Sequence, residues 1–439
     1  MKITKLALVI SCVFLLANCG KEDTLIPETE KEQKEQETEN PNDSENVVYF
    51  TYESNSLNEN ADEWIILHDQ NGDILEYRKV VYGERIGFKV EKDKVPESVT
   101  ATKFFYFLSG GGFNPDHSLV TYANLESGSI WNRNHNFRNN PNPIIGDFNI
   151  RVSNIMGGVR DYSISNSYGN LNTGSTDFEG TAGLQILSLG QIPLYENETY
   201  ILSLYDNQDN LRYVMIENPV DGMEYEFAFE ELPEYDSYFE LDNLPENTFS
   251  MFMSTGYASE QPDYNLYEHT VSRDLTYGKS NAKVGYLDTF KTYRTYFGIK
   301  MDGYSYGYSQ MGDKIEELTI LPKPSFTIVE NSVYNFEFAS DQTFIKKTAK
   351  WSYNVYGDEP MFTRWTVISP AENPHKIGEL PQEILMNYPD FNLDKIELQH
   401  VDLFTKSTTV QKEFNSFYGT YVPLSAGVQE VFTMWAPFE

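Results

Sequence analysis

The sequence predicts an all-β protein assembled from antiparallel sandwiches in series. Three observations carry this. Apolar and polar residues alternate at period two, as in Phe148-Ile150-Val152 against Asn149, Arg151 and Ser153. Aromatic residues make up 15% of the 439 residues, with 31 Tyr and 28 Phe, and they fill the alternating runs. Helical periodicity is confined to one short stretch, Pro381 to Met386, opened by proline and followed by Pro389. The chain carries 66 acidic and 33 basic residues, a formal charge of -33. Such a body is repelled by nucleic acid and by anionic headgroups, which excludes a basic binder of either.

The first element is a leader, 1–18. Lys2 and Lys5 precede an apolar run from Leu6 to Ala17, about the length of a signal-peptide core and too short to span a bilayer. The run ends in Leu16-Ala17-Asn18-Cys19, which resembles a bacterial lipoprotein box, with Asn18 where Gly or Ala is usual. The resemblance implies that Cys19 becomes the lipidated first residue of the mature chain. Gly20 follows it, and Lys21-Glu22-Asp23 resembles the Lys-plus-acidic export signal of surface lipoproteins of Bacteroidetes such as flavobacteria. That likeness implies the outer membrane, on its extracellular side, with several acyl chains giving lasting anchorage. The sequence has 2 cysteines, Cys12 and Cys19, so both fall in the leader and the anchor.

Residues 19–46 are expected to form a flexible acidic tether. Ten acids stand against three lysines there, and Leu25 and Ile26 are its only aliphatic residues, too few to offset the entropy of ordering. A coil of this length reaches about 30 Å. From Val47 onward the net charge is -28, so the acidity belongs mostly to the folded part.

The strands follow. Ile86-Phe88-Val90, Tyr225-Phe227-Phe229 and Tyr334-Phe336-Phe338 each place one face on a core and one in water. The body is too long for one sandwich, so the expectation is four units cut at polar or Pro-rich stretches: 47–143, 144–234, 235–341 and 342–439. Each is about the size of an immunoglobulin-like or transthyretin-like sandwich. A weak repeat points the same way. Ile65 to Ile74 aligns without gaps to Leu202 to Leu211: a strand, a polar turn opened by Asp69 or Asp206, and a second strand. This unit resembles hairpins of small β-sandwich modules in secreted Bacteroidetes proteins, including carboxypeptidase regulatory-like domains.

Candidate chemistry is sparse. Gly303-Tyr304-Ser305-Tyr306-Gly307 matches the G-x-S-x-G of hydrolase nucleophile elbows, but the elbow needs a strand turning into a helix, and no helical pattern follows. A tyrosine-bearing hairpin explains it better. Asp69, Asn71 and Asp73 place oxygens at alternate positions as calcium loops do, yet lack the Gly and Glu of that loop, so a turn is favoured over a metal. The histidines, at 68, 117, 135, 269, 375 and 400, are scattered without a zinc pattern. No catalytic residue, metal or cofactor is assigned. Tyr304, Tyr306 and Tyr308 share one strand face, and Trp131 sits in a polar segment, Ser129 to His135. Exposed rings of this kind would form a platform for a sugar ring; the competing reading is an aromatic ladder that stabilises a sheet. The expectation is a lipid-anchored cell-surface protein that binds without catalysis, its partners being the membrane and an extracellular glycan or surface protein. The alternatives are a surface hydrolase with a dispersed active site and a purely structural or assembly lipoprotein.

Overall fold

The computed structural model describes residues 46–437, apart from 55–60, 82, 110–113, 133–141, 182, 261–268, 357–360, 372–374, 392 and 416–426. The leader, Cys19, Lys21, Glu22, Asp23 and the tether up to residue 45 lie outside them. The described residues all belong to one compact unit, Asn46–Glu439.

The body is all-β, as its alternation requires. Residues 46–132 give β1 (Asn46–Glu53), β2 (Asp62–His68), β3 (Ile74–Val80), β4 (Arg85–Glu91), β5 (Ser98–Ser109), β6 (Asn114–Glu126) and β7 (Ser129–Asn132). The next stretch gives β8 (Ile144–Met156), β9 (Val159–Asn166), β10 (Gly169–Asn170), β11 (Ser175–Thr181), β12 (Leu184–Tyr195), β13 (Thr199–Asp206), β14 (Leu211–Glu217) and β15 (Glu224–Ala228). Then come β16 (Ser237–Asp242), β17 (Phe249–Tyr257), β18 (His269–Tyr277), β19 (Asn281–Tyr286), β20 (Thr292–Met301) and β21 (Tyr304–Gly312). The last are β22 (Thr327–Asn331), β23 (Phe336–Ala339), β24 (Lys346–Val355), β25 (Met361–Pro370), β26 (Glu397–Lys406) and β27 (Gly427–Trp435), with short helices α1 (Gln382–Asn387) and α2 (Val410–Phe414). Helix α1 forms where proline opens a helical pattern, and Pro381 is its N-cap.

Residues 144–228 close on themselves. Sheets β10-β9-β13-β14 and β11-β12-β8-β15 face each other across a core of Phe148, Ile150, Val152, Leu187, Leu189, Leu202 and Leu204. The other expected units are not separate sandwiches. One 12-stranded sheet runs β18-β17-β20-β21-β27-β26-β24-β25-β6-β5-β2-β3, drawing strands from 47–143, 235–341 and 342–439 alike. The cut at 341 therefore divides segments that backbone hydrogen bonds join, β21 pairing with β27. Parallel pairing of β6 with β25 links the earliest segment to the latest. Alternation fixes which face of a strand is buried but not which strand lies beside it.

Both faces of this sheet are covered in part. On one, the small sheet β4-β1-β7 packs Phe50, Tyr52, Phe88 and Trp131 against Ile65, Leu67, Ala101 and Tyr122, and α2 adds Val410 and Phe414. On the other, the two-stranded sheet β16-β19, the hairpin β22–β23 and the chain around α1 close over Trp64, Phe104, Trp351, Trp365, Phe297 and Phe432. Asn46–Glu439 is a compact unit that carries its own hydrophobic cores, as an independently folding body does.

The repeat is real at the level of conformation. In the β2–β3 turn Asp69 Oδ1 accepts from the backbone N–H of Asn71 at 2.8 Å and of Asp73 at 2.9 Å. In the β13–β14 turn Asp206 Oδ1 accepts from Gln208 and Asn210 at 2.9 and 2.8 Å. The first turn docks on the chain before α1, where a Cβ on Gly378 would lie 1.8 Å from the Gly72 carbonyl oxygen. Only glycine fits there.

The compact sandwich is fastened to the edge of the large sheet by a reciprocal pair of ion bridges. Arg160 of β9 donates to both oxygens of Asp274 on β18, at 3.0 and 2.8 Å. Arg273 of β18 donates back to both oxygens of Asp161, at 2.9 and 2.8 Å. The side chains of Arg160 and Asp274 are 2% and 0% exposed. Burial pushes the Asp274 carboxyl up to about 6, against the pull of the Arg160 guanidinium. Removing one partner strands the other as a buried charge. Arg160→Met is therefore expected to lower the unfolding free energy by about 3–5 kcal/mol in urea denaturation. A loss below about 1 kcal/mol would show that the pair is not the fastening.

Candidate functional site

The aromatics that the sequence offered as a sugar platform are mostly core. Trp131 lies in β7 and is fully buried, its ring edge-on to Tyr52, Tyr122 and Phe414 at 5.5–5.9 Å between centroids. The polar neighbours of Trp131 in sequence suggested a wet loop, but the parallel pairing of β7 with β1 turns its ring inward. Tyr306 and Tyr308 are 1% and 6% exposed. The Tyr306 hydroxyl donates to Glu430 at 2.8 Å, and that of Tyr308 to Gln310 at 2.7 Å. Burial pushes both phenols above their ordinary range, with the Glu430 carboxylate adding to the effect. These tyrosines form the ladder, not the platform. Tyr304, at the end of the same face, is half-buried.

Beside the β20–β21 turn a groove opens, with a volume of about 970 Å³, and Tyr304 is not among the residues that line it. Its floor is the tight β20–β21 hairpin, Met301-Asp302-Gly303, in which Gly303 takes φ +72°. This accounts for the G-x-S-x-G spacing: the first glycine makes a hairpin turn, Ser305 lies within β21, and no helix follows. The end of β27 lies alongside, Trp435 N–H donating to the Gly303 carbonyl at 3.3 Å. The far wall is Lys323-Pro324-Ser325-Phe326. It is pinned to Asp341 reciprocally: Ser325 N–H donates to Asp341 Oδ1 at 2.8 Å, and Asp341 N–H donates to the Ser325 hydroxyl at 2.9 Å. Hydrogen bonding from the Ser325 side chain and backbone N–H holds the Asp341 carboxyl below its ordinary range.

The groove presents one large exposed ring. Trp435 is 40% exposed and rests against the His400 imidazole, 4.8 Å between centroids. Burial pulls His400 below its ordinary range, and it lies 3.9 Å from Asp402. Polar residues share the groove's lining with it: Lys300, Asp302, Lys323, Ser325 and Asp341. The Lys323 ammonium lies 5.6 Å from the Tyr304 ring centroid. An exposed indole beside hydroxyl, carboxylate and ammonium groups can stack on an apolar face and bond hydroxyls at its rim. Sequence reasoning missed Trp435, although a signal existed. In β27 Phe432 and Met434 point inward, so Thr433 and Trp435 stand on the wet face, where a tryptophan is unusual.

The other candidates carry structure. The Asp69 carboxylate is spent on the turn described above, accepting from the backbone N–H groups of Asn71 and Asp73 and from the Asn71 amide at 3.3 Å. Among the described residues no three His, Cys, Asp or Glu side chains gather as metal ligands. His375 is buried and His269 half-buried, and desolvation pulls each down to about 4. His375 bonds the Val333 carbonyl at 2.9 Å and lies among Phe336 and Trp351, within a core. Lys346 and Lys347 are drawn down to about 8 by burial. Lys346 pairs with Glu413 over the Phe404 ring, and neither lysine lines the groove.

No protein-family profile matches the chain, and no curated protein matches it. The two tryptophans separate packing from binding. Trp131→Ala is expected to cost about 3–5 kcal/mol of stability, whereas Trp435→Ala should change it by less than about 0.5 kcal/mol. Thermal unfolding of both variants checks this, and equal losses would place Trp435 in the core.

Proposed function

We propose that this chain is a lipid-anchored cell-surface protein that captures a neutral glycan without chemical turnover. The observation that carries the reading is the groove at the end of β20, β21 and β27. It combines one exposed tryptophan with a rim of hydroxyl and charged groups, and its Asp341 is held ionised. Catalysis by acid and base needs groups whose proton affinities are set apart near neutrality, and Asp341 is tied off by backbone and hydroxyl donors. A charge of -33 favours uncharged ligands over polyanions. Lipidation at Cys19 and export through Lys21-Glu22-Asp23 would put the groove outside the outer membrane, on a tether of about 30 Å.

A glycan array probed with residues 46–439 tests the binding. Retention of at least one neutral oligosaccharide is expected, weakened tenfold or more by Trp435→Ala. Absence of binding across the array, or a variant that binds as well as the parent, would sink the reading. Location has its own test. Protease treatment of whole cells should remove the protein while periplasmic markers survive, and full protection would refute the outward orientation.

A further inference from the structure

The two edges of the 12-stranded sheet are treated differently. At β18 the rim is closed by side chains of β9: Leu275 N–H donates to Asp161 at 2.7 Å, and the Thr270 carbonyl accepts from Ser165 at 2.8 Å. At β3 no described strand pairs beyond the edge. Ile74 to Lys79 are exposed at every position, on both faces of the sheet, and Ile74, Leu75 and Tyr77 are 42%, 39% and 38% exposed. An edge of this length with apolar side chains is a template for another strand, since alternate residues turn their N–H and C=O groups outward.

We propose that this edge is a homodimer contact, β3 of one copy pairing antiparallel with β3 of a second about a two-fold axis at Tyr77. The sequence Ile74-Leu75-Glu76-Tyr77-Arg78-Lys79-Val80 is complementary to its own reverse. With Tyr77 opposite Tyr77, Glu76 faces Arg78, Ile74 faces Val80 and Leu75 faces Lys79. Two-fold pairing of a strand with itself brings residues of the same parity together, so registers change only in steps that move the axis by one residue. Moving it to Glu76 sets that carboxylate against its own copy, and moving it to Arg78 sets two guanidinium groups together. Like charges directly opposite are destabilising, so charge selects the Tyr77 register over its neighbours. Arg78 already meets Glu84 at 3.0 Å through one nitrogen, and the guanidinium has further donors for a second carboxylate. Lys79 likewise keeps its contact with Asp62 at 2.6 Å. The contact lies on β3, whereas the groove lies at β20, β21 and β27, so the inference does not rest on the glycan reading.

Sedimentation equilibrium of residues 46–439 tests it. One short strand buries less than a standard interface, so the measurement must extend to about 1 mM. The expected result is a reversible dimer. Glu76→Arg and Arg78→Glu should each weaken it at least tenfold, and the double variant should restore it, because exchange of both charges recreates the pairing. A covalent readout runs in parallel. Residues 46–439 contain no cysteine, so Tyr77→Cys should form a disulfide dimer on mild oxidation far faster than Tyr356→Cys, which is 77% exposed elsewhere. A monomer throughout the range, a double variant no tighter than the single ones, or equal oxidation of the two cysteine variants would overturn the proposal.

Discussion

The rim of the 12-stranded sheet at β18 governs how the molecule holds together. A sheet edge carries a row of backbone donors and acceptors that must be satisfied or left to water. Here a second sheet system satisfies them with side chains. The dipeptide Arg160-Asp161 on β9 meets Arg273-Asp274 on β18, each arginine bidentate to the opposite aspartate. Alternation along a strand sends the two residues of each dipeptide to opposite sides, so one pair forms on each face of the edge. The inner pair is sealed further: Arg160 lies over the Tyr205 ring at 4.3 Å and bonds the Asn281 carbonyl at 2.7 Å. One constraint thereby closes an edge, orients the compact sandwich and ties it to β19 of the two-stranded sheet beyond.

Much of the secondary structure could be read from residues alone, because alternation reports burial directly. Ile86 and Phe88, Phe148, Ile150 and Val152 are all buried where the pattern put them. The turn at Asp69 was legible for a chemical reason, since a short carboxylate bonds the N–H groups that follow it in any context. Strand neighbours were not legible. Nothing local in His117 or Leu119 announces that β6 will lie beside Thr363 and Trp365, and that pairing, together with β21 on β27, merges three expected units into one sheet. Only the strands of residues 144–228 find all their sheet partners within their own segment.

The candidate site divides in the same way. The tyrosine row was visible as a row, yet its sequence could not tell a dry face from a wet one. Glu430, which holds Tyr306 from the neighbouring strand, comes from 124 residues further along the chain. Trp131 misled because polar neighbours in sequence stood for solvent, when a parallel partner strand had turned the ring inward. The groove was invisible because a hairpin, a strand end and a loop from three regions form it, with no contiguous motif.

The parallel pair β6–β25 bears on how such a chain can mature. Arg364 grips Asp116 across it with both carboxylate oxygens, and the two residues are 248 positions apart. A polypeptide delivered from its N-terminus leaves the outer edge of β6 open until that distance has been synthesised and moved. The sandwich of 144–228 has its partners at hand and can condense in the interval, whereas the large sheet closes only near completion. Contacts of such separation are slow to form, and the open edge is sticky while it waits. The outer edge of β6 is thus the surface most open to mispairing in the interval before residues 361–370 arrive.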